Sequence, residues 1–278
     1  MWSPWPRVTV TLMVAGVETW EAEALEQVKE SGRTKPMVLS CKRAGGGVHE
    51  RRPFLVKAIG APEITALSLR NELLGMLLAR ELGLTAADPA LIEIPPDVAD
   101  AINATLKRYG FQIMSGTAVG SAHMTGLVPL GLPMQLPEAA QDEAAAVYAF
   151  DLLTQNPDRR VSNPNCALRE GHVFPYDFEM CFSFTRLIFG GGDPMDLEKH
   201  GIYRDHLFRP TLHKLSSTID LGPFCERLKR LAKKGRLDAL VATVPEAWRG
   251  GTDQIVGHIL AVASRASDFG LELMKTLA

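Results

Sequence analysis

The sequence has little cysteine, and none of it is arranged to bind a metal ion. Its four cysteines are Cys41, Cys166, Cys181 and Cys225, and no two of them form a C-x-x-C pair. This spacing argues against a zinc site and against a disulfide framework. We expect buried, reduced thiols in a cytoplasmic protein. None of the seven histidines lies at ligand spacing from another, so we expect no catalytic histidine.

Long apolar runs and a charge imbalance are also missing. No apolar run reaches the length of a transmembrane helix, and no basic segment precedes the first apolar residues as it would in a signal peptide. The formal net charge is only −2, which gives no indication of nucleic acid or an anionic membrane as a partner. The 278 residues, 46% of them hydrophobic, are enough for one large domain or two lobes.

Two short stretches in the middle of the chain carry recognisable chemistry. In the first, 156–165, Asp158 is followed five positions later by Asn163. Two short apolar runs joined by a turn then lead to Asp177 in the second, 174–179. Phosphoryl transfer from ATP uses one carboxylate to accept the proton of a substrate hydroxyl, and an amide and a second carboxylate to bind magnesium. The D-x-x-x-x-N spacing equals that of a protein-kinase catalytic loop, with Asp177 at the position of its metal-binding Asp.

Each stretch alone has an ordinary structural explanation. Asn, Pro, Asp and Ser favour turns, so 156–165 would be a polar loop. Asp177 would then be the cap of a helix. The order of the two stretches behind an apolar helix predicted over 138–154 favours the kinase interpretation.

A lysine inside an apolar strand is the next candidate. Lys57 lies in the strand predicted over 54–59, and Glu72 lies in the amphipathic helix predicted over 66–82. A strand lysine that binds ATP phosphates, oriented by a helix glutamate, is typical of kinases. The alternatives are a lysine that extends its ammonium to solvent and a surface glutamate. The order of strand lysine and helix glutamate favours the functional interpretation.

Two flexible segments are candidates for nucleotide contacts. The turn 31–36, which contains Gly32 and Arg33, precedes the strand predicted over 37–41 and has backbone amides that could cover phosphates. A plain helix stop explains it equally well, and the sequence leaves both open. A strand is predicted over 111–114, ending at Met114. In the segment that follows, Gly116 and Gly120 suit a hinge between two lobes, and the backbone of such a hinge faces the adenine in a two-lobed kinase.

The remaining pattern predicts strands first and helices later. Strands are also expected over 8–14 and 89–94, and a glycine-rich hairpin tip over 44–47. A short charged helix is expected over 21–30, and others over 99–107, 193–200, 219–234, 237–244 and 252–277. The Gly- and Pro-rich segment 121–137 is the best linker. A basic run between Arg227 and Arg236 would bind an acidic partner or, more commonly, form the solvated face of a helix.

These residues resemble the HipA-like kinases, in the shorter single-domain branch of that family. The resemblance spans about 32–184 and includes the loop 156–165, Lys57 with the run 71–74, the run 78–84, and the turn 32–36. It implies an α+β, two-lobed protein-kinase-like fold, with a β-rich N-terminal lobe (1–120) and a mostly helical C-terminal lobe (121–278). ATP and Mg²⁺ would bind in the cleft between the lobes.

The resemblance also implies roles for individual residues. Asp158 would be the catalytic base, Asn163 and Asp177 would bind magnesium, and Lys57, oriented by Glu72, would bind the phosphates. Gly32, Arg33 and Met114 complete the expected ATP contacts. Two positions depart from the usual patterns: Arg160 stands where the family often has His, and Glu179 where eukaryotic kinases have Gly. The latter predicts that no mobile Asp-Phe-Gly switch operates.

The expected function is a Ser/Thr protein kinase. The better-known members of the family that it resembles are bacterial toxins paired with a DNA-binding antitoxin, and the sequence leaves open whether this chain is such a toxin. The expected partners are a protein substrate and an antitoxin or regulatory protein, with no nucleic acid and no membrane. A small-molecule or lipid kinase of the same fold is the first alternative, and a nucleotide-binding pseudokinase that acts through partner contacts is the second. The presence of every catalytic acid argues against the pseudokinase.

Overall fold

The strands of the N-terminal half close into a barrel in the order β1-β2-β3-β5-β4. The computed structural model describes residues 16–30, 32–44, 50–131, 136–186, 192–233 and 235–278. The barrel strands are β1 (Glu18–Val28), β2 (Met37–Arg43), β3 (Arg51–Lys57), β4 (Pro89–Ile94) and β5 (Gly116–Ala122). All neighbours are antiparallel except β1 and β4, whose parallel pairing closes the sheet. Closure leaves no exposed strand edge.

The helix predicted over 21–30 is wrong, because residues 21–28 belong to β1. Glu, Ala, Leu and Lys are strong helix formers, and they dominate this segment. Tertiary pairing overrides the propensity: β1 bonds to β2 on one side and to β4 on the other. Trp20 and Ala22 point inward with 0% and 1% exposure, the alternate spacing of a strand with one buried face.

The predictions of a strand over 111–114 and of a hinge beyond it also differ from the structure. Residues 111–114 have no regular secondary structure, and the strand begins at Gly116 instead. The predicted hinge glycines, Gly116 and Gly120, therefore belong to a barrel strand, β5. Gly120 is needed for packing, since a Cβ there would be 2.7 Å from Cγ1 of Ile92. The chain leaves the barrel only after Ala122.

Helix α1 (Ala66–Glu81) lies between the barrel and the helical half. Thr65 caps it: its hydroxyl accepts from the Ser68 N–H (3.2 Å), and the Ser68 hydroxyl accepts from the Thr65 N–H (2.8 Å). The helix contacts β4 and β5 of the barrel and also the helix formed by Arg236–Ala242 in the helical half. It is consequently buried along most of its length. Glu72, at 6% exposure, is not the surface residue that its type would suggest.

Helices dominate the rest of the chain. After α2 (Pro96–Leu106) comes a small sheet of β6 (Val128–Pro129), β7 (Cys166–Arg169) and β8 (His172–Pro175). The helices are α3 (Gln141–Leu153), α4 (Leu197–His200), α5 (Arg209–Lys214), α6 (Gly222–Leu231), α7 (Arg236–Ala242), α8 (Thr252–Ala263) and α9 (Ala266–Leu277). The helix predicted over 252–277 is thus two helices, α8 and α9, which pack against α6.

Two predicted features lie outside the described residues: the strand over 8–14 and most of the glycine-rich tip at 44–47. Within the described ranges, no helix combines the length and apolar character needed to cross a membrane.

Candidate active site

A buried ionic network fixes the loop that follows α3. Asp151, in the last turn of α3, has a fully buried carboxylate that accepts from Arg159 Nε at 2.5 Å and from Asn156 Nδ2 at 2.9 Å. Arg159, also fully buried, donates to the carbonyls of Asn165 and Tyr176. One guanidinium therefore ties the helix end to the end of the loop and to the segment carrying Asp177. This arrangement satisfies the buried charges.

His206 is the fourth member of this network. Its Nε2 lies 2.9 Å from Oδ2 of Asp151, and the N–H of Phe208 donates to its Nδ1 at 3.2 Å. Because Nδ1 is an acceptor, the proton resides on Nε2. Burial lowers the pKa of His206 despite the nearby carboxylate. Burial would raise the pKa of Asp151, but Arg159 and His206 lower it below its usual value, so Asp151 is ionised and His206 is neutral.

Within this fixed loop, two amides orient the carboxylate of Asp158. Nδ2 of Asn163 and Nδ2 of Asn165 both donate to its Oδ2, at 2.8 and 3.0 Å. The main-chain N–H of Asp158 donates to Oδ1 of Asn156, and Arg160 lies 3.4 Å from Oδ1 of the acid. The carboxylate is thus held from one side, 17% exposed, with an oxygen that can accept a proton.

The β7–β8 hairpin brings Asp177 to the lysine predicted from the sequence. Nζ of Lys57 lies 2.7 Å from Asp177 Oδ1, 3.0 Å from Glu72 Oε2 and 3.0 Å from Glu179 Oε2. Asp177 has φ +61° and Asn165 has φ +42°, in the left-handed region. Non-glycine residues adopt it at some cost, and such residues cluster at functional sites.

One ammonium is shared by three carboxylates, and the pKa values of Lys57, Glu72 and Glu179 reflect both burial and this sharing. Burial would lower the pKa of Lys57, but Asp177, Glu72 and Glu179 together hold it well above its usual value. Burial raises the pKa of Glu72, and Lys57 offsets only part of this effect. Burial likewise raises the pKa of Glu179. The lysine is therefore charged, and its surroundings carry excess negative charge.

Helix α1 is bonded directly to the segment 177–181. The N–H of Phe178 donates to Oε2 of Glu72 at 2.8 Å, and Nδ2 of Asn71 donates to the carbonyls of Glu179 (3.1 Å) and Cys181 (2.7 Å). Gly75 allows this approach, since a Cβ there would be 2.5 Å from Cβ of Phe178. These contacts fix Glu72 relative to Asp177. That this segment does not act as a switch stays a prediction.

A cleft of about 310 Å³ connects these groups with the turn before β2. Of the predicted residues, the cleft is lined by Gly32, Lys57, Glu72, Asn163 and Asp177; its other lining residues are Lys29, Thr34, Pro36, Leu55, Met76, Ala87, Ser121, Asn165, Pro175, Tyr176 and Phe178. Asp158 adjoins it through Asn163 and Asn165.

Two predicted nucleotide contacts lie apart from this cleft. Arg33 is 82% exposed in its side chain and faces Glu63 at 3.6 Å. Met114 is 63% exposed, and its N–H donates to the carbonyl of Ile59. Neither lines the cleft as described. Among the residues of the turn, Gly32, Thr34 and Pro36 line it and Arg33 does not.

The polar groups of the cleft suit a hard divalent cation. Asn163 uses its Nδ2 to bind Asp158, so its Oδ1 is the atom that remains for a ligand. Asp177 contributes carboxylate oxygens, one of which contacts Lys57. An amide oxygen and a carboxylate are the ligands that magnesium prefers. The donor set on the two walls of this cleft therefore fits Mg²⁺.

The sequence interpretation missed most of the supporting residues. Asp151 could have been found, because it is an acid within the apolar set of the helix over 138–154. Asn165 belongs to the same polar stretch as Asn163. Nothing in the sequence marks His206, which reaches the network from 55 residues beyond Asp151. Glu179 was noted as a departure, but its contact with Lys57 was not expected.

Comparisons with known proteins give the family of this chain and a solved structure of similar fold. Among curated proteins, none matches the sequence. The fold is similar to the crystal structure of a Helicobacter pylori proinflammatory kinase, CtkA, with a TM-score of 0.53 and 10% identity, over 93% of this chain and 99% of that one. At this identity the likeness concerns the fold alone. The family model described as HipA-like kinase matches residues 23–266, and the chain therefore belongs to the HipA-like kinase family.

Proposed function

We propose that this kinase transfers a phosphoryl group from ATP to a serine or threonine of a protein, with magnesium as the metal. The observation that carries the proposal is the position of the Asp158 carboxylate. Two asparagines hold it beside a cleft whose walls carry Lys57 and Asp177. An oriented base, a fixed cation and a metal-ligand pair around one cleft are the groups that this reaction requires.

Lys57 binds the phosphates in this proposal, and Glu72 positions it. The ammonium is buried and charged, and the contact of 3.0 Å with Glu72 holds it against the wall of the cleft. A fixed donor stabilises charge on a transferring phosphoryl group without reorganisation. Because α1 is bonded to the segment 177–181, Glu72 keeps this position throughout the reaction.

Asp158 accepts the proton of the attacking hydroxyl. Its Oδ2 is occupied by the two asparagine N–H groups, which leaves Oδ1 for the substrate. Those two bonds stop the carboxylate from rotating, so that the base is already aligned before the substrate arrives. Arg160 lies 3.4 Å from Oδ1 and is positioned to contact the protein substrate.

Asn163 and Asp177 hold magnesium. The metal supplies charge neutralisation on the phosphate oxygens when it is bound. Asn163 has two tasks, since its Nδ2 orients Asp158 while its Oδ1 is available to the metal. One side chain, Asn163, therefore positions both the metal and the catalytic base.

Around this centre we propose the two-lobed arrangement of a protein kinase. The barrel with α1 and α2 forms one lobe, α3 and the following helices form the other, and the boundary follows β5. Gly32 and Thr34 approach the phosphates from the turn at 32–36. Arg33 and Met114 would contact the nucleotide only after a movement of their segments toward the cleft.

Two carboxylate-to-amide variants test the proposal. Asp158→Asn should keep ADP affinity close to wild type, while phosphoryl transfer falls by about 10²–10⁴, the usual size of a general-base contribution. Asp177→Asn should weaken magnesium-dependent ADP binding as well as transfer. Calorimetry with Mg²⁺ and transfer from labelled ATP measure the two effects. Asp100→Asn, at an exposed site on α2, is the control. Wild-type transfer by Asp158→Asn would refute the assignment.

The substrate class is tested with labelled ATP and a cell lysate. Labelled protein bands that disappear with Asp158→Asn support a protein kinase, whereas a labelled metabolite or lipid would contradict this part of the proposal. The family resemblance extends it to a toxin restrained by a protein partner. Induced expression of the wild type, but not of Asp158→Asn, should then arrest growth.

A further inference from the structure

Glu179 contacts the phosphate-binding lysine but has no part in the proposed reaction. Its Oε2 lies 3.0 Å from Nζ of Lys57, as close as the carboxylate of Glu72. Glu72 positions the lysine from α1, and Asp177 serves the metal. The third carboxylate requires a separate explanation, because placing a third negative charge beside one ammonium is electrostatically unfavourable for its neighbours.

The backbone at Glu179 is fixed, so its side chain is aimed at the lysine. Nδ2 of Asn71, a residue with 0% exposure, donates to the carbonyl of Glu179 at 3.1 Å. Nδ2 of Asn71 also binds the carbonyl of Cys181. The Glu179 side chain is 15% exposed and can leave Lys57 only by rotation about its own bonds. The backbone therefore keeps Glu179 beside Lys57, while rotation of the side chain can break the contact.

A nucleotide must approach the same ammonium. Phosphate oxygens and the Glu179 carboxylate are both anions, and both need the donor hydrogens of Nζ, of which there are three. In the structure those hydrogens face Glu72, Asp177 and Glu179. A phosphate that binds Lys57 must therefore displace a carboxylate. Glu179 is the one whose departure disturbs neither the lysine's anchor to α1 nor the proposed metal ligand.

We propose that Glu179 is a positioning residue that holds Lys57 before nucleotide binds and competes with the nucleotide phosphates for its ammonium. The proposal rests on the proposed function, since it assumes that nucleotide binds at Lys57. Its consequence is a dependence on magnesium. A metal-free nucleotide meets the full repulsion of Glu179, whereas a cation between Asn163 and Asp177 offsets that charge. Glu179 would therefore select the metal-bound nucleotide over the free one.

The test is the affinity for ADP with and without metal, measured by calorimetry on the full chain. ADP is used because it carries the phosphates that the lysine binds and undergoes no transfer. For Glu179→Gln, the affinity in EDTA should rise about tenfold, the size expected for removing one like charge about 4 Å from a bound phosphate. With saturating Mg²⁺, the two proteins should agree within about threefold. General damage to the fold would weaken binding, so a gain in affinity separates competition from structural loss.

The matched control is Glu81→Gln. Glu81 has the same side-chain exposure of 15% and an ion pair of 2.8 Å, but with Arg236 outside the cleft. It should leave ADP affinity unchanged in both conditions. Equal or weaker metal-free affinity in Glu179→Gln, or the same gain in Glu81→Gln, would overturn the proposal. A tenfold gain that persists in Mg²⁺ would overturn the metal dependence.

The same measurements distinguish this inference from the proposed function. Wild-type protein that binds ADP with Mg²⁺ but shows no gain in Glu179→Gln keeps the proposed function and rejects the role of Glu179. Wild-type protein that binds no ADP in either condition rejects both.

Discussion

The buried carboxylate of Asp151 offers a sharp test of how the catalytic loop is held. Asp151→Asn keeps the shape of the side chain but removes the charge that faces Arg159. The acid accepts from Arg159, His206 and Asn156, three donors in all. An amide has one oxygen, and its NH₂ group would face donors that it cannot bind. The guanidinium would then be buried without a counter-charge.

The expected loss of stability is about 3–5 kcal/mol, the usual cost of removing one partner of a buried ion pair. For a chain of this size, each kcal/mol lowers the melting temperature by roughly 2–4 °C, which gives a decrease of about 10 °C. The Asp151 pKa is lowered from a value of 3.8. Its contribution is therefore present above that pH and is lost as the pH falls through the lower, folded value. The comparison belongs at neutral pH.

Calorimetric melting and urea unfolding measure the effect. The control is Asp100→Asn, at an exposed site on α2, which should change stability by less than about 0.5 kcal/mol. A second check combines Asp151→Asn with Arg159→Gln, and the double variant should lose less than the sum of the two single variants. Asp151→Asn melting within about 2 °C of wild type, or strictly additive losses, would refute the reasoning.

Three further predictions follow from the site and its surroundings. Lys57→Ala should abolish most transfer and weaken ADP binding, while Lys42→Ala, an exposed lysine of β2 paired with Glu21, should not; unchanged turnover would remove Lys57 from the mechanism. Nucleotide should protect the amides of 32–35 from hydrogen exchange and leave the 169–171 turn unaffected, and equal exchange would make 32–36 an ordinary turn. Burial lowers the pKa of His258 from 6.5 to about 4, so the unfolded chain takes up the proton first. Stability should fall by about 3 kcal/mol as the pH decreases from about 6.5 to about 4. In urea unfolding at several pH values, His258→Gln should flatten this decrease and the exposed His172→Gln should not, whereas an unchanged slope in His258→Gln would contradict the assignment.

The candidate residues of the site could be predicted from the sequence because they form short patterns of neighbouring residues. Asp158 and Asn163 lie five positions apart in one loop, and this spacing, taken together with Asp177 and the apolar helix before the loop, predicted that they act together. Asp177 follows the next hairpin, whose runs and turn could be recognised. Lys57 and Glu72 were found through the order of a strand and a helix. In each case the signal needed only neighbouring residues and a known requirement of phosphoryl transfer.

Tertiary structure decided what depends on distant partners. The segment around Trp20 has helix-forming residues, yet it is a strand because β2 and β4 pair with it. Gly120 was expected in a hinge, but its lack of a Cβ serves the close approach of Ile92. Propensity is a weak preference of a few tenths of a kcal/mol per residue, and the closing of a barrel easily exceeds it.

The electrostatics of the site were also beyond the sequence. Asp151, Arg159 and His206 form one buried network, although His206 is far away along the chain and its residue type gives no signal of its role. In the sequence, Glu179 had no feature that distinguishes it from an ordinary surface acid. Only the folded chain places it against Lys57. The sequence by itself determined which functional groups the protein has. The fold determined which charged groups lie close enough to interact, because electrostatic interactions depend on distance and burial rather than on chain order.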